Sequence, residues 1–244
     1  MPAPASAIVV GVGARNGLGA ALCRRFAAGG LHAWAAGRTA DRLAAVCDEI
    51  EGEGLAATAA VTDTTSEPEV LALFDRVERE GPPLEVVIYN AGNNQPVALA
   101  ETTAEHFERA WRVGCFGGFL VGREAARRLG PRGRGTVIFT GATGSIRGKP
   151  PFVAFAAAKA GLRMVAQGMA RELGPLGVHV VHVVIDGGIA GDRILKHFPR
   201  FAEAKGEDGL LALDAIADTY WQLHAQVRSA WTHELDLRPF KEEW

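Results

Sequence analysis

Gly13, Gly17 and Gly19, spaced G-x-x-x-G-x-G, make the stretch of this chain whose residue types are best suited to holding an anion. An apolar, β-branched run over residues 7–12 precedes them and a helical pattern opens at Leu18, so strand, glycine turn and helix start follow one another directly. Glycines let backbone N–H groups approach a phosphate closely, and the helix adds the positive end of its dipole. A nucleotide is the guest that such a cradle takes. Two other phosphate loops fail on spacing: counted from Gly11, a G-x-G-x-x-G pattern meets Asn16 at its third glycine, and no Lys follows Gly19 as G-x-x-x-x-G-K-S/T requires. The alternative is a glycine placed for helix packing, since the chain has 30 glycines; the strand before the triplet favours the nucleotide.

Other chemistry-bearing residues are less ordered. Cys23, Cys47 and Cys115 are unclustered and lack metal-ligand spacing, which fits buried thiols in a reducing compartment and a cytoplasmic location. His179 and His182 stand three apart in a strand-like run and face opposite sides, so no paired metal site is expected, and each reads as a packed, hydrogen-bonded imidazole. Trp111, Trp221, Trp231 and Trp244 read either as a substrate-stacking set or as core and interface residues, the latter preferred. Arg147 reads either as a contact for an acidic substrate or, preferred, as a surface salt link.

The elements that must position these residues alternate. Strand-like runs occupy 7–12, 32–36, 55–61, 85–89, 135–140, 178–185 and 230–237; helical patterns occupy 18–28, 40–51, 67–79, 104–129, 151–173 and 213–224. Near-continuously apolar strands alternating with helices predict a doubly wound three-layer α/β sandwich, its seven-stranded sheet mainly parallel and covered on both faces. Ligands in such a fold bind beyond the carboxyl ends of the strands, here 13–19, 37–39, 61–63, 90–95, 141–145 and 186–189. Residues 190–209, with Pro199, Gly206 and Gly209, read equally as a lid or as a pair of short surface helices. At 244 residues, 48% hydrophobic and a net charge of −2, the chain reads as one domain over 1–244 with a small-molecule partner. Nothing marks a nucleic-acid footprint, and no run has transmembrane length or the form of an export signal.

Taken together, several motifs resemble the short-chain dehydrogenase/reductase family over nearly the whole chain. The Gly13, Gly17, Gly19 loop resembles T-G-x-x-x-G-x-G, with Val12 in place of Thr; Asn90-Ala91-Gly92 resembles N-N-A-G; residues 136–141 resemble the strand leading to the active serine; Phe155 to Gly161 resembles Y-x-x-x-K-A-G; and 177–187 resembles the strand ending in P-G. The resemblance implies a Rossmann-type fold, a nicotinamide nucleotide held by Gly13, Arg15, Asn16, Gly17, Leu18, Gly19, Arg38, Asn90, Ala91, Gly92 and Lys159, and a homodimer or homotetramer joined through the helices 104–129 and 151–173. Charge then bears on the nucleotide. The tip of the second strand reads Gly37-Arg38-Thr39, without the acid that would accept the ribose hydroxyls of NAD. Arg38, with Arg15 as a second cation, suits a 2′-phosphate, so NADP(H) is favoured over NAD(H); the alternative makes both arginines solvated surface charges. The family's adenine-contacting Asp falls at Ala60, with Asp63 three residues on.

The family's reaction moves a hydride while a Tyr phenol passes a proton, a Lys lowers that phenol's pKa and holds ribose, a Ser bonds the carbonyl and an Asn holds a relay water. Tyr and Lys at i and i+4 share one helix face. Lys159 stands in the Lys place, but Phe155, Ala142 and Gly114 stand where Tyr, Ser and Asn are expected, and neither Tyr89 nor Tyr220 fits the Tyr place. Thr143, Lys159 and Asp186 are therefore the candidate catalytic groups: a hydroxyl contact, a proton or hydrogen-bond donor, and a carboxylate that otherwise caps the turn at Gly187. Asn93 and Asn94 lie near the expected nicotinamide, or satisfy loop backbone. Three functions are open: an atypical NADP(H)-dependent oxidoreductase acting on a carbonyl or activated double bond; a binding or regulatory protein that keeps the cofactor without turnover; and a lyase or isomerase using Asp186 as base.

Overall fold

Strand β1 (Ala5–Val10) shows how the apolar runs fold: residues 7–10 are buried, Ala7 and Val9 packing toward one face of the sheet and Ile8 and Val10 toward the other. The same alternation divides β2 (Leu31–Gly37), where Ala33 and Ala35 oppose Trp34 and Ala36, and β4 (Leu84–Tyr89), where Val86 and Ile88 oppose Val87 and Tyr89. Both sheet faces are therefore core. β3 (Ala57–Val61), β5 (Thr136–Thr140), β6 (His179–Ile185) and β7 (Glu234–Leu237) complete a seven-stranded sheet of order β3-β2-β1-β4-β5-β6-β7 in which every pairing is parallel. The computed structural model describes residues 5–92 and 94–242.

One face carries α1 (Leu18–Ala28), α2 (Ala40–Gly52) and α9 (Leu213–His224); the other carries α3 (Glu67–Glu80), α5 (Gly117–Leu129) and α6 (Val153–Leu173). Buried positions recur at helical spacing, as in Leu213, Ile216, Ala217, Tyr220 and Leu223 of α9. That helix lies on α1, Trp221 meeting Phe26 edge-on at 5.4 Å. Between β1 and β4 the chain direction across the sheet reverses, and this is where an α/β fold opens a crevice for a ligand.

Boundaries move where tertiary contacts act. The first strand stops at Val10, short of residue 12, because Gly11 turns at φ +88° and both Gly11 and Val12 donate to the Ala36 carbonyl. The last strand starts at Glu234, well after residue 230, because a 3-10 turn (Arg228–Ala230) precedes it and Trp231 stacks on His179. The pattern over 104–129 is three pieces: α4 (Ala104–Trp111), a π-helical turn (Arg112–Phe116) and α5. Here Gly114 packs so closely on α6 that a Cβ would lie 2.7 Å from the Ala158 Cβ, and Gly117 lies against the Tyr89 hydroxyl. Residues 190–209 hold two short helices, α7 (Asp192–His197) and α8 (Pro199–Lys205), closed at the base by a bridge between Ile189 and Leu211. No helix among the described residues is long and apolar enough to cross a membrane.

Candidate active site

The turn after β1 and the turn after β4 touch at the crevice. A Cβ at Gly11 would sit 2.6 Å from the Ala91 nitrogen, and one at Gly19 would sit 2.7 Å from the Gly11 carbonyl, so these glycines let strand end, loop and α1 close on one another. Gly13 differs: nothing lies within 4 Å of where its side chain would be. Gly17 caps α1 in extended conformation with no side-chain acceptor, and no acidic residue stands in the first turn, so the helix start presents donors without a competing anion. An open space above Gly13 beside uncapped donors fits a nucleotide phosphate. Asn90 joins the turns, its backbone donating to the Val10 carbonyl at 3.0 Å and its side chain to that of Gly11 at 3.4 Å.

The other loop residues divide. Leu18 is buried in the core, which leaves its backbone alone for a ligand. Asn16 is tied to α7: its carbonyl accepts from the Asp192 nitrogen at 2.7 Å and its amide donates to the Asp192 carboxylate at 3.3 Å. Arg15 pairs with Glu49 on α2 at 3.2 Å in an exposed salt link, the arrangement of the surface-charge alternative. Arg38 is exposed at the tip of β2 and meets no carboxylate among the described residues. Asp63, the offset candidate for the adenine, instead folds an Asx turn, its carboxylate accepting from the Thr65 nitrogen and hydroxyl ahead of α3.

On α6, Lys159 is 4% exposed and points under the β4 turn. Its Nζ donates to the Thr140 carbonyl at 2.8 Å and, at 3.5 Å, to that of Ala91, and it lies 3.2 Å from where a Gly92 Cβ would be. No carboxylate among the described residues touches it, and burial pushes its pKa down to about 8. The Phe155 ring lies 6.0 Å from this ammonium, one helical turn earlier and without a polar atom. After β5, Ala142 begins a 3-10 turn (Thr143–Ser145), and the buried Ser145 hydroxyl accepts from the Ala142 nitrogen at 3.1 Å. Thr143 donates to the Asp186 carboxylate at 2.5 Å, so its proton is already committed.

Asp186 is neither a helix cap nor a free base. It is 1% exposed, and besides Thr143 it accepts from Arg147 at 2.6 Å and Arg238 at 2.8 Å. Arg147 thus makes a salt link, as preferred from the sequence, but to a buried partner. His182 donates or accepts at 2.9 Å with Glu234, itself clasped by both arms of Arg163, while His179 bonds the Thr232 carbonyl at 2.8 Å and stacks on Trp231. Burial lowers the His182 pKa to about 4. Trp111 stacks on Phe116, Trp221 meets Phe26 edge-on and Trp231 stacks on His179, three separate places that form no stacking set; Asn93 and Trp244 lie outside the described residues. Cys23, Cys47 and Cys115 are buried free thiols, and among the described residues no three His, Cys, Asp or Glu side chains are placed to hold a metal ion.

Two residues at this end of the sheet were not singled out by the sequence: Arg238, which follows β7, and Arg193 on α7, which donates to the Asn94 carbonyl across the mouth of the crevice. No motif marks either, since both act through loops brought together only in three dimensions. A cavity of about 280 Å³ opens at the opposite, amino-terminal edge of the sheet, where Arg134 pairs with Glu85 and Arg228 bonds the Gly133 carbonyl. Arg134 and Glu85 neutralise each other there, and Arg228 reaches a carbonyl oxygen.

Comparison with known proteins agrees with this geometry. The gluconate 5-dehydrogenase of Gluconobacter oxydans is 30% identical over 168 residues, covering 69% of this chain and 66% of that protein. The chain thus spans just under two thirds of that relative. A crystal structure of a short-chain dehydrogenase from Rhodopseudomonas palustris is 39% identical with a TM-score of 0.82, over 97% of this chain and 99% of that one. A gluconate 5-dehydrogenase from Burkholderia cenocepacia, solved with NADP and tartrate, shares the fold at a TM-score of 0.84 and 23% identity, over 96% of this chain and 94% of that one. The sequence pattern described as short chain dehydrogenase matches residues 7–192. With three quarters of its length inside that pattern, the chain belongs to the short-chain dehydrogenase family.

Proposed function

We propose that this protein is an NADP(H)-dependent oxidoreductase acting on a small organic substrate, a carbonyl compound or an activated double bond, and that Lys159 handles the proton its relatives entrust to a phenol. One observation carries the reading: an ammonium buried beside the β4 turn, without a carboxylate partner among the described residues and with its pKa lowered to about 8, next to a Phe that cannot exchange a proton. A donor with that pKa releases a proton readily near neutral pH. The nucleotide, when bound, supplies or receives the hydride. Gly13 and the start of α1 would hold its phosphates, and Arg38 its 2′-phosphate through a forked, charge-assisted contact. Lys159 donates at Nζ to the substrate, while Thr143, its own proton on Asp186, offers an acceptor.

A second reading, a cofactor-binding or regulatory protein without turnover, is favoured by the same commitment of Thr143 and by Ala142 and Phe155, which bring no hydroxyl. The lyase or isomerase reading is the least supported, because its base would have to leave two guanidinium groups and a hydroxyl. One set of experiments separates them. NADPH binds at least about tenfold more tightly than NADH, and Arg38→Ala removes that preference, as expected for one lost charged hydrogen bond. NADPH is then consumed against a panel of carbonyl and enoyl compounds, and Lys159→Met abolishes consumption. Tight binding without consumption supports the second reading, and product formed without redox change supports the third. We further take residues 1–244 as one domain with a lid at 190–209, in a reducing, cytoplasmic setting. Assembly into a dimer or tetramer would use the exposed Phe107, Trp111, Phe119 and Met164 of α4, α5 and α6, and light scattering tests it.

A further inference from the structure

Two cations approach the chain just after β4, one at Ala91 and Gly92 and the other at Asn94. Lys159 reaches it from below, its Nζ 3.5 Å from the Ala91 carbonyl and 3.2 Å from where a Gly92 Cβ would be. Arg193 reaches it from above, donating from α7 to the Asn94 carbonyl. Among the described residues neither meets a carboxylate. Their neighbours are different: Arg147 pairs with Asp186 at 2.6 Å, Arg238 with Asp186 at 2.8 Å and Asp236 at 2.9 Å, Lys196 with Asp192 at 2.8 Å, and Lys205 with Glu242 at 2.6 Å. Even Asp192, next to Arg193 in the chain, turns to Lys196 and Asn16. Carboxylates are plentiful at this end of the sheet, yet Lys159 and Arg193, like Arg38 at the tip of β2, are left without one among the described residues.

An exposed guanidinium bonded only to a carbonyl dipole retains most of its attraction for an anion. The surrounding dehydration lowers the proton affinity of Arg193 with no acid to offset it. The position of the group also matters. Asn94 follows Gly92 by two residues, at most about 7 Å along the chain, so a compact molecule bearing a charged end on Arg193 and a reducible carbon can meet both cations. We propose that Arg193 determines substrate class: the site takes small organic carboxylates, anchored by their charged end on Arg193 with the reactive carbon toward Lys159. This deepens the oxidoreductase reading, on which it rests for the reactive carbon, while the anion contact is measurable without turnover.

The experiment compares D-gluconate with D-glucitol, six-carbon polyols of which only the first ends in a carboxylate, by calorimetric titration of the full chain saturated with NADPH. The acid is expected to bind at least about tenfold more tightly, the effect of one charge-assisted contact. Arg193→Gln removes that advantage without changing glucitol affinity or the melting temperature, and Arg193→Lys retains part of it. Raised salt weakens the acid alone. Equal affinities in the wild type, no binding of the acid at millimolar concentration, or discrimination that survives Arg193→Gln each overturn the proposal. So does a variant that loses NADPH affinity and keeps the discrimination, which assigns Arg193 to the nucleotide's phosphates. If NADPH itself fails to bind, the nucleotide reading fails separately, and the same pair of compounds is titrated on the protein alone.

Discussion

Replacing Lys159 with Met should change how stability depends on pH, and the structure fixes both sign and size. The ammonium is 4% exposed and its pKa falls from 10.5 to about 8 on folding, the cause being burial. Between those values the unfolded chain binds a proton that the folded protein does not, so stability rises with pH through that window. At pH 7 both states are protonated and the whole cost of the buried charge, about 3 kcal/mol, is present. By pH 9.5 most of the folded protein has released its proton, and about 2 kcal/mol of that cost is recovered. Met leaves the Thr140 and Ala91 carbonyls without their donor, a loss that offsets part of the gain at neutral pH. The absolute stability of the variant therefore mixes two effects, whereas the change in the difference does not. Urea unfolding of wild type and Lys159→Met without nucleotide, at pH 7 and pH 9.5, should show the wild type gaining about 2 kcal/mol relative to the variant, equivalent to roughly 4–8 °C in Tm for a chain of this size. Parallel behaviour at the two pH values, or a relative loss by the wild type, would refute the buried-charge argument. It would also remove the basis for Lys159 as a proton donor near neutral pH.

Three further outcomes follow from contacts in the same region. Asp186→Asn leaves Arg147 and Arg238 facing a buried amide in place of a carboxylate and should cost about 3 kcal/mol, read as a lower urea midpoint with an unchanged slope. Gly114→Asn should cost about 1–3 kcal/mol, because its Cβ would press to 2.7 Å on the Ala158 Cβ; adding Ala158→Gly should recover part of the loss, and a melting curve equal to wild type would contradict the packing. Ala142→Ser with Phe155→Tyr should create or raise carbonyl reduction by about a hundredfold in kcat/KM, with no gain on any substrate counting against the placement of Phe155 one turn before Lys159.

The glycine turn after β1 was legible because everything it needs is local. A buried strand, a positive-φ turn at Gly11 and the start of α1 are consecutive in the chain, and their periodicity and glycine spacing survive folding. The same holds for α1 and α9, whose bounds agree with the sequence pattern because each carries an uninterrupted apolar stripe. The break at Arg112–Phe116 was hidden, since residues 104–129 carry one continuous helical pattern and it is the approach of α6 to Gly114 that disturbs it.

Charge pairing was least legible, because an ion pair is decided by which loops meet. Sequence alone determined the fold class, the glycine turn after β1, the absence of a phenol one turn before Lys159 and the presence of many arginines after the strands. Tertiary structure decided which of those arginines are neutralised. It placed Arg15 on Glu49, enclosed Asp186 between Arg147 and Arg238, and brought Lys159 to Ala91 and Arg193 to Asn94 with no carboxylate on either among the described residues. The physical reason is range. Backbone conformation responds to neighbours a few residues away, whereas the strength of a charge depends on burial and on partners contributed from distant segments of the chain.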